Sequence, residues 1–261
     1  MLISDHTLLL AIGFSALCVV VMFIVTWFST RSEPFLLTWA AGTAMIVFCA
    51  FGFAFYNIKM TPWVGLITFA TMIIGLGAQF SASIQFRTGR LPFLITGPVI
   101  LLGVLAVGNA MFSGYNGLAI MIAQGFAALF LAAAAYEYFR ARAEAPRALT
   151  IMAFLNLATA ICFAMSCAML VLAGETILKA PPHNWAETLG RAVSIVTVIG
   201  MGSIALVLNH WRVEKQRLES EGSAPRNAGG QSTQGLGGVA ENGQKPASVH
   251  GARTVSVGRD L

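Results

Sequence analysis

The sequence predicts an all-α, polytopic membrane protein: a seven-transmembrane-helix bundle followed by a disordered C-terminal tail. Two observations support this fold class. Of the 261 residues, 57% are hydrophobic and only 10% are charged, whereas soluble domains carry about 25% charged residues. In addition, seven apolar stretches fill the first 210 residues, and each is close to the roughly 20 residues that a helix needs to cross a bilayer.

Short connections separate the predicted spans, which makes consecutive helices antiparallel neighbours. The spans cover residues 7–28, 35–56, 64–86, 93–113, 117–139, 148–172 and 189–209. Pro34 and Pro62 lie in turns, and Pro146 marks the start of the sixth helix. The first span has no basic region before it and no small-residue cleavage site after it, so we interpret it as a membrane helix and not as a signal peptide.

Basic residues predict the orientation of the bundle. One set of connections carries nine of them: Arg31, Arg87, Arg90, Arg140, Arg142, Arg147, Arg212, Lys215 and Arg217. The other side has three: Lys59, Lys179 and Arg191. The positive-inside rule therefore places the N-terminus outside and the C-terminus in the cytoplasm, which agrees with an odd number of spans. Topology and anionic lipid head groups account for the net charge of +5 without a nucleic-acid partner.

The seventh span is predicted to continue into a short cytoplasmic helix, so that residues 1–219 form the membrane module. Five residues at spacings of four, three, four and three resemble a short coiled-coil seam: Ile204, Leu208, Trp211, Lys215 and Leu218. The alternative is a helical overhang with basic side chains that reach to the membrane surface. We assign a partner-coupling role to four residues of this stretch: Trp211, Arg212, Lys215 and Leu218.

The tail, residues 220–261, differs sharply in composition from the rest of the chain. It is rich in Gly, Ser, Ala, Gln and Asn and has no aromatic residue and no hydrophobic period. Such a segment buries too little apolar surface to offset the entropy of ordering it, which predicts disorder.

The catalytic and cofactor motifs expected of membrane enzymes are missing from the chain. Residues 189–209 contain no Lys for a retinal Schiff base, and no span has an HExxH motif or a His near its centre for haem. The four cysteines, at positions 18, 49, 162 and 167, all lie inside predicted helices and are interpreted as packing residues. We therefore predict no enzymatic activity, no cofactor and no metal.

Polar residues inside the spans are functional candidates because they are costly in lipid. They are Gln79, Gln85, Asn109, Gln124 and Asn156. Each could line a cavity or form an interhelical hydrogen bond, which contributes about 0.6 kcal/mol on average. Glu137 is expected to pair with Arg140, three residues later. Abundant Gly and Ala indicate close helix packing and are compatible with a homodimer.

A candidate ligand site lies on the predicted outer face. Glu187 and Arg191 are four residues apart, in the order that favours an ion pair on a helix. The full candidate cluster is Asp5, His6, His183, Glu187 and Arg191. These residues converge if helices one and seven are neighbours, and the histidines would make the site sensitive to pH. The alternative is an interfacial ion pair beside a Trp185 anchor.

Three segments are similar to a bacterial family. They are EPFLLTWAAG (Glu33–Gly42), SIQFRTGR (Ser83–Arg90) and NHWRVEKQRLE (Asn209–Glu219). Together they resemble the N-terminal multi-helix membrane input module of GGDEF-domain diguanylate cyclases, over roughly residues 5–219. In that family a cyclase domain follows. This chain has neither its LTGLxNRR-like opening nor its GGDEF signature, so the resemblance implies no catalytic residue here.

The resemblance implies a non-catalytic sensory or signalling module of the bacterial inner membrane that acts through a cytoplasmic partner. One alternative is the remnant of a frameshifted or truncated diguanylate cyclase, because the composition changes at Ser220. Another is a small transporter or channel, against which stand the missing intramembrane charges and the lack of an inverted repeat.

Overall fold

The computed structural model describes residues 5–30, 34–179 and 185–223. The helices are α1 (Asp5–Thr30), α2 (Pro34–Ile58), α3 (Pro62–Thr88), α4 (Phe93–Phe112), α5 (Asn116–Arg140), α6 (Pro146–Ala173) and α7 (Trp185–Ser223), with a 3₁₀ turn at Ala141–Ala143 between α5 and α6. The chain divides into two compact units, residues 1–217 and 218–261, and the account of packing below concerns the first unit.

The prediction of a seven-helix membrane protein is confirmed. Among the described residues, seven helices are long and apolar enough to cross a membrane, and all the regular structure is helical. Large apolar side chains on the outer surface, such as Leu94 at 90% exposure and Leu172 at 84%, suit contact with lipid. The predicted helix at the end of α7 is also present and extends to Ser223, whereas residues 224–261 of the predicted disordered tail lie outside the described residues.

Proline and glycine set several helix boundaries, as the sequence suggests. Pro62 and Pro146 stand at the first positions of α3 and α6, where a backbone N–H has no partner within the helix in any case. Gly89 and Gly174 follow the last residues of those two helices with φ of 71° and 67°. This left-handed conformation ends a helix, and glycine adopts it without steric cost.

Six of the helices form a closed ring, and α4 lies outside it. Contacts join α1 to α2, α2 to α3, α3 to α5 and α5 to α6, while α4 packs against α3 and α5. Helix α7 closes the ring. On one side its Thr197 hydroxyl lies 2.7 Å from that of Thr159 on α6, and on the other a Cβ at Gly202 would lie 2.6 Å from a methyl group of Val19 on α1.

Helices α2 and α3 approach one another through glycine. A Cβ at Gly42 would lie 2.8 Å from the carbonyl oxygen of Gly75, and a Cβ at Gly75 would lie 2.8 Å from the carbonyl oxygen of Gly42. The two backbones are therefore in direct contact, as small residues permit in membrane bundles. Gln79 reinforces this pair by donating to the Thr43 hydroxyl at 3.3 Å.

The two ends of the bundle differ in charge. We call the end at which α1, α3 and α5 finish the basic end, since Arg87, Arg140 and Arg212 all lie there. The half of the bundle next to it is filled by large side chains. Phe23 and Trp39 are fully buried and pack edge to face with ring centroids 5.1 Å apart, and the Trp39 indole N–H donates to the Tyr138 hydroxyl at 3.3 Å.

The opposite half has a second core that is composed differently. Its described residues come from α2 to α6 and from the loop after α6, with Ile73, Ile120 and Phe130 among the most buried, and none comes from α1 or α7. The loop after α6 folds back over the start of α5. There Asn116 donates to the Leu178 carbonyl at 2.8 Å and accepts from the Leu178 N–H at 2.7 Å.

Candidate functional site

A cavity lies inside the helical ring, in the half opposite the basic end. Its volume is about 160 Å³, and α1, α2, α3, α5, α6 and α7 all contribute to its wall. It lies between residues of the second core and residues of α1 and α7. On the side of α1 and α7, small residues such as Gly190 and Ser194 form part of its wall together with Leu9.

The wall is mainly apolar and contains a few polar groups. Aromatic and aliphatic side chains dominate it, among them Phe53, Phe69 and Leu76. The polar members are Gln79, Gln124, Thr159, Ser166, Arg191 and Ser194. An apolar enclosure with a few well-placed polar groups is the usual composition of a small-molecule site.

Gln124 lines the cavity and has a buried side-chain oxygen without a hydrogen-bond partner, as Asn57, Thr68 and Asn156 have elsewhere in the described residues. The residue is only 8% exposed, and its side-chain oxygen, Oε1, accepts no hydrogen bond from the described residues. Leaving such a buried acceptor unpaired costs about 1–3 kcal/mol. A molecule in the cavity that donates a hydrogen bond to Oε1 would remove that cost.

Arg191 supplies the charge of the site, since no other described residue that lines the cavity is ionic. It is 8% exposed, and its guanidinium carbon lies 5.6 Å from the centroid of the Phe53 ring. A cation over an aromatic face at this distance is stabilised by the ring's electron density. Arg191 also takes part in at least one further interaction.

The predicted outer-face cluster is described only in part. Arg191 faces the cavity, and its helix α7 is indeed a neighbour of α1, as the Val19–Gly202 approach shows. Asp5 and His6 begin α1 and Glu187 lies in the first turn of α7, but their side chains are outside the described part. His183 lies outside the described residues altogether. Convergence of the five residues on one ligand stays a prediction.

At the basic end, Arg212 is tied into the bundle. Its Nη2 donates to the Phe86 carbonyl oxygen at 2.9 Å and to Glu144 Oε2 at 2.6 Å. The guanidinium carbon also lies 3.7 Å from the centroid of the Phe86 ring. These contacts connect α7 to the end of α3 and to the α5–α6 connection.

The other predicted coupling residues are more exposed. Trp211 is 43% exposed, and the Lys215 ammonium lies 5.6 Å from its ring centroid. Leu218 is 61% exposed and belongs to the second compact unit. Leu208, which the seam pattern grouped with them, is instead buried in the core of the bundle, so the seam does not continue into the membrane as an exposed face.

An ion-pair cluster at the basic end goes beyond the sequence prediction. Glu137 pairs with Arg140 at 3.4 Å as expected, but its shorter contact is with Arg87 Nε on α3, at 2.6 Å. Arg87 and Glu137 are 50 residues apart in the sequence, so no local sequence pattern predicts this pair. The basic character of both connections was the one sequence feature that pointed to it.

The polar residues singled out in the sequence have different surroundings. Gln79 and Gln124 line the cavity. Gln85 accepts a hydrogen bond from the Thr38 hydroxyl at 2.7 Å, and Asn156 donates to the Met152 carbonyl at 2.8 Å and to Met201 Sδ at 3.1 Å. Asn109 is exposed on α4, outside the ring.

The cysteines are free thiols: Cys49 and Cys162 line the cavity, and Cys167 donates to the Met121 carbonyl oxygen at 3.4 Å. The described part of the chain has no group of three or more His, Cys, Asp or Glu residues that could hold a metal ion.

Comparisons of the chain with protein-family models, with curated proteins and with solved structures give no match. The resemblance to the input module of diguanylate cyclases therefore stays a prediction from the three sequence segments.

Proposed function

We propose that the protein is a non-catalytic membrane sensor that binds a small molecule in the ring cavity and signals through α7 to a cytoplasmic partner. The observation that carries the proposal is the position of α7. The same helix lines the cavity with Gly190, Arg191 and Ser194 and continues past the basic end with exposed residues. A ligand that shifts α7 in the half of the ring that contains the cavity would therefore also shift the part of α7 beyond the basic end.

The orientation follows from the charges. The positive-inside rule places the basic end, with Arg212 and Lys215, in the cytoplasm, and the cavity then lies in the outer half of the membrane. The family resemblance points to the inner membrane of a bacterium. A second copy of the chain remains compatible with the small residues on the helices.

A reporter fusion tests this function. A diguanylate cyclase domain is joined after Glu219, and cyclic di-GMP is measured in cells that express the fusion. Ser194→Phe places a phenyl ring into the cavity from α7, so we expect the reporter output to change at least twofold in either direction.

Ser203→Phe is the matched control. Ser203 lies on the same helix and its hydroxyl donates to the carbonyl four residues earlier, as that of Ser194 does, but Ser203 is exposed on the outer surface. The control should keep the wild-type output. Equal output from wild type, Ser194→Phe and Ser203→Phe at equal expression would overturn the sensor proposal.

A transporter or channel is the second candidate, and the cavity is the observation in its favour. Among the described residues, however, Phe23, Trp39 and Tyr138 fill the other half of the ring, so the cavity does not continue as a path to the basic end. Solute flux into vesicles that contain the protein would decide for this alternative.

The remnant of a diguanylate cyclase is a proposal about the gene. The composition change at Ser220 supports it, and a GGDEF-coding stretch in another reading frame downstream of codon 219 would establish it.

A further inference from the structure

We infer that the ring cavity binds a neutral, mainly apolar molecule of phenol size that presents an O–H or N–H group to Gln124 Oε1. The inference specifies the ligand of the proposed sensor and rests on that function for its biological role. Binding itself can be measured without any signalling output.

The size of the ligand follows from the volume of the cavity. An engineered apolar cavity of about 150 Å³ in another protein stays free of water and accepts benzene. The present cavity, at about 160 Å³ and with a mainly apolar wall, has a similar volume. It suits a molecule of about six to ten non-hydrogen atoms.

The aromatic character follows from the wall. Phe53, Phe69 and Phe163 contribute rings from three different helices. Aromatic ligands pack favourably against such rings in offset or edge-to-face arrangements. A rigid ring also loses less conformational freedom on binding than a flexible chain of the same size.

The hydrogen-bond donor follows from Gln124. Its Oε1 is buried and accepts no hydrogen bond from the described residues, so a ligand that donates a hydrogen bond fits this position. A hydroxyl or ring N–H on the ligand satisfies this oxygen, whereas a molecule with only acceptors leaves it unpaired.

The ligand is neutral because of the same oxygen. A carboxylate would bring a second negatively polarised oxygen to Gln124 Oε1 and would lose its hydration against an apolar wall, which is costly. Arg191 lies in this wall but already contacts Phe53 and has a further interaction. The ligand needs no net charge to be held there.

The test uses the full-length protein in lipid nanodiscs and 4-fluorophenol as the probe, followed by ¹⁹F NMR against protein-free nanodiscs of the same lipid. We expect a saturable bound signal that phenol displaces. Toluene, which lacks a polar group, anisole, which only accepts, and benzoate, which is anionic, should displace it at least about tenfold more weakly.

Two pairs of variants assign the site. Gln124→Met should weaken binding about tenfold. Gln85 is also a buried glutamine but lies in the half next to the basic end, so Gln85→Met should leave binding unchanged. Ser194→Phe should abolish binding by occupying the cavity, while Ser203→Phe should not. The second pair keeps the assignment testable if Gln124→Met fails to fold.

Several outcomes overturn the inference: no saturable signal beyond that of empty nanodiscs, equal affinity for anisole and phenol, or tighter binding of benzoate. These results are separable from the reporter experiment. Phenol binding with an inert reporter rejects the sensor function alone, and a reporter that responds to Ser194→Phe without phenol binding rejects only the ligand class.

Discussion

The two halves of the helical ring differ in how the space between the helices is used. Next to the basic end, Phe23, Trp39 and Tyr138 meet at the centre, and α1 and α7 belong to the same core as the other helices. In the opposite half a cavity of about 160 Å³ lies at the centre, and the second core contains no described residue of α1 or α7.

The difference bears on how firmly each half holds its helices. A close-packed region resists deformation because any displacement forfeits many contacts, so the filled half fixes the relative positions of the helices. In the half that contains the cavity, Gly190 and Ser194 of α7 face open space. At the basic end, Arg212 holds α7 to the Phe86 carbonyl and to Glu144.

The largest expected effect comes from truncating a ring in the filled half. Phe23→Ala should lower the free energy of unfolding by about 3–5 kcal/mol, because a fully buried side chain is removed and a new void is left. Phe163→Ala, in the cavity wall, should cost only about 1–2 kcal/mol, since that ring is already less tightly surrounded. Unfolding by SDS titration in mixed micelles measures both, and equal costs would contradict the contrast between the two halves.

A smaller effect is expected from the ion-pair cluster that closes the basic end. Glu137→Gln removes the charge that Arg87 contacts at 2.6 Å and should cost about 2 kcal/mol. The control, Arg140→Gln, removes a side chain that is 48% exposed and should cost less than about 1 kcal/mol. The same SDS titration distinguishes them, and a larger loss for Arg140→Gln would mean that the Arg87 contact does not dominate.

The smallest effect concerns the backbone contact between α2 and α3, where the two halves meet. Gly75→Ala places a methyl group 2.8 Å from the Gly42 carbonyl oxygen and should cost about 1–2 kcal/mol through forced separation of the helices. Gly125→Ala on α5 meets no atom within 4 Å. It should be neutral or stabilising by up to about 1 kcal/mol, and an equal loss for both would show that the close approach is unimportant.

Much of the fold was predictable because it depends on local features of the chain. Each span is an apolar stretch of bilayer length, and the backbone of a helix satisfies its own hydrogen bonds. The prolines before α3 and α6 and the glycines after them act within one turn. The continuation of α7 past Asn209 follows from its run of helix-forming residues in the same way.

The sequence identified individual residues of the candidate site but not their arrangement around one cavity. Gln79 and Gln124 stand out in the sequence as polar residues inside spans, and Arg191 as a basic residue at the start of one. Their meeting in one cavity depends on α3, α5 and α7 facing a common centre. Asn109 illustrates the other outcome, because α4 lies outside the ring and leaves this residue exposed.

The sequence by itself determined the membrane class, the number and approximate bounds of the helices and the excess of basic residues at one end, because hydrophobic length and charge act residue by residue. The tertiary structure alone decided that six helices close a ring without α4. It also decided that Glu137 meets Arg87 and that one half is filled while the other is hollow. These features come from side-chain shapes brought together from distant parts of the chain, and no local pattern encodes how such shapes fit.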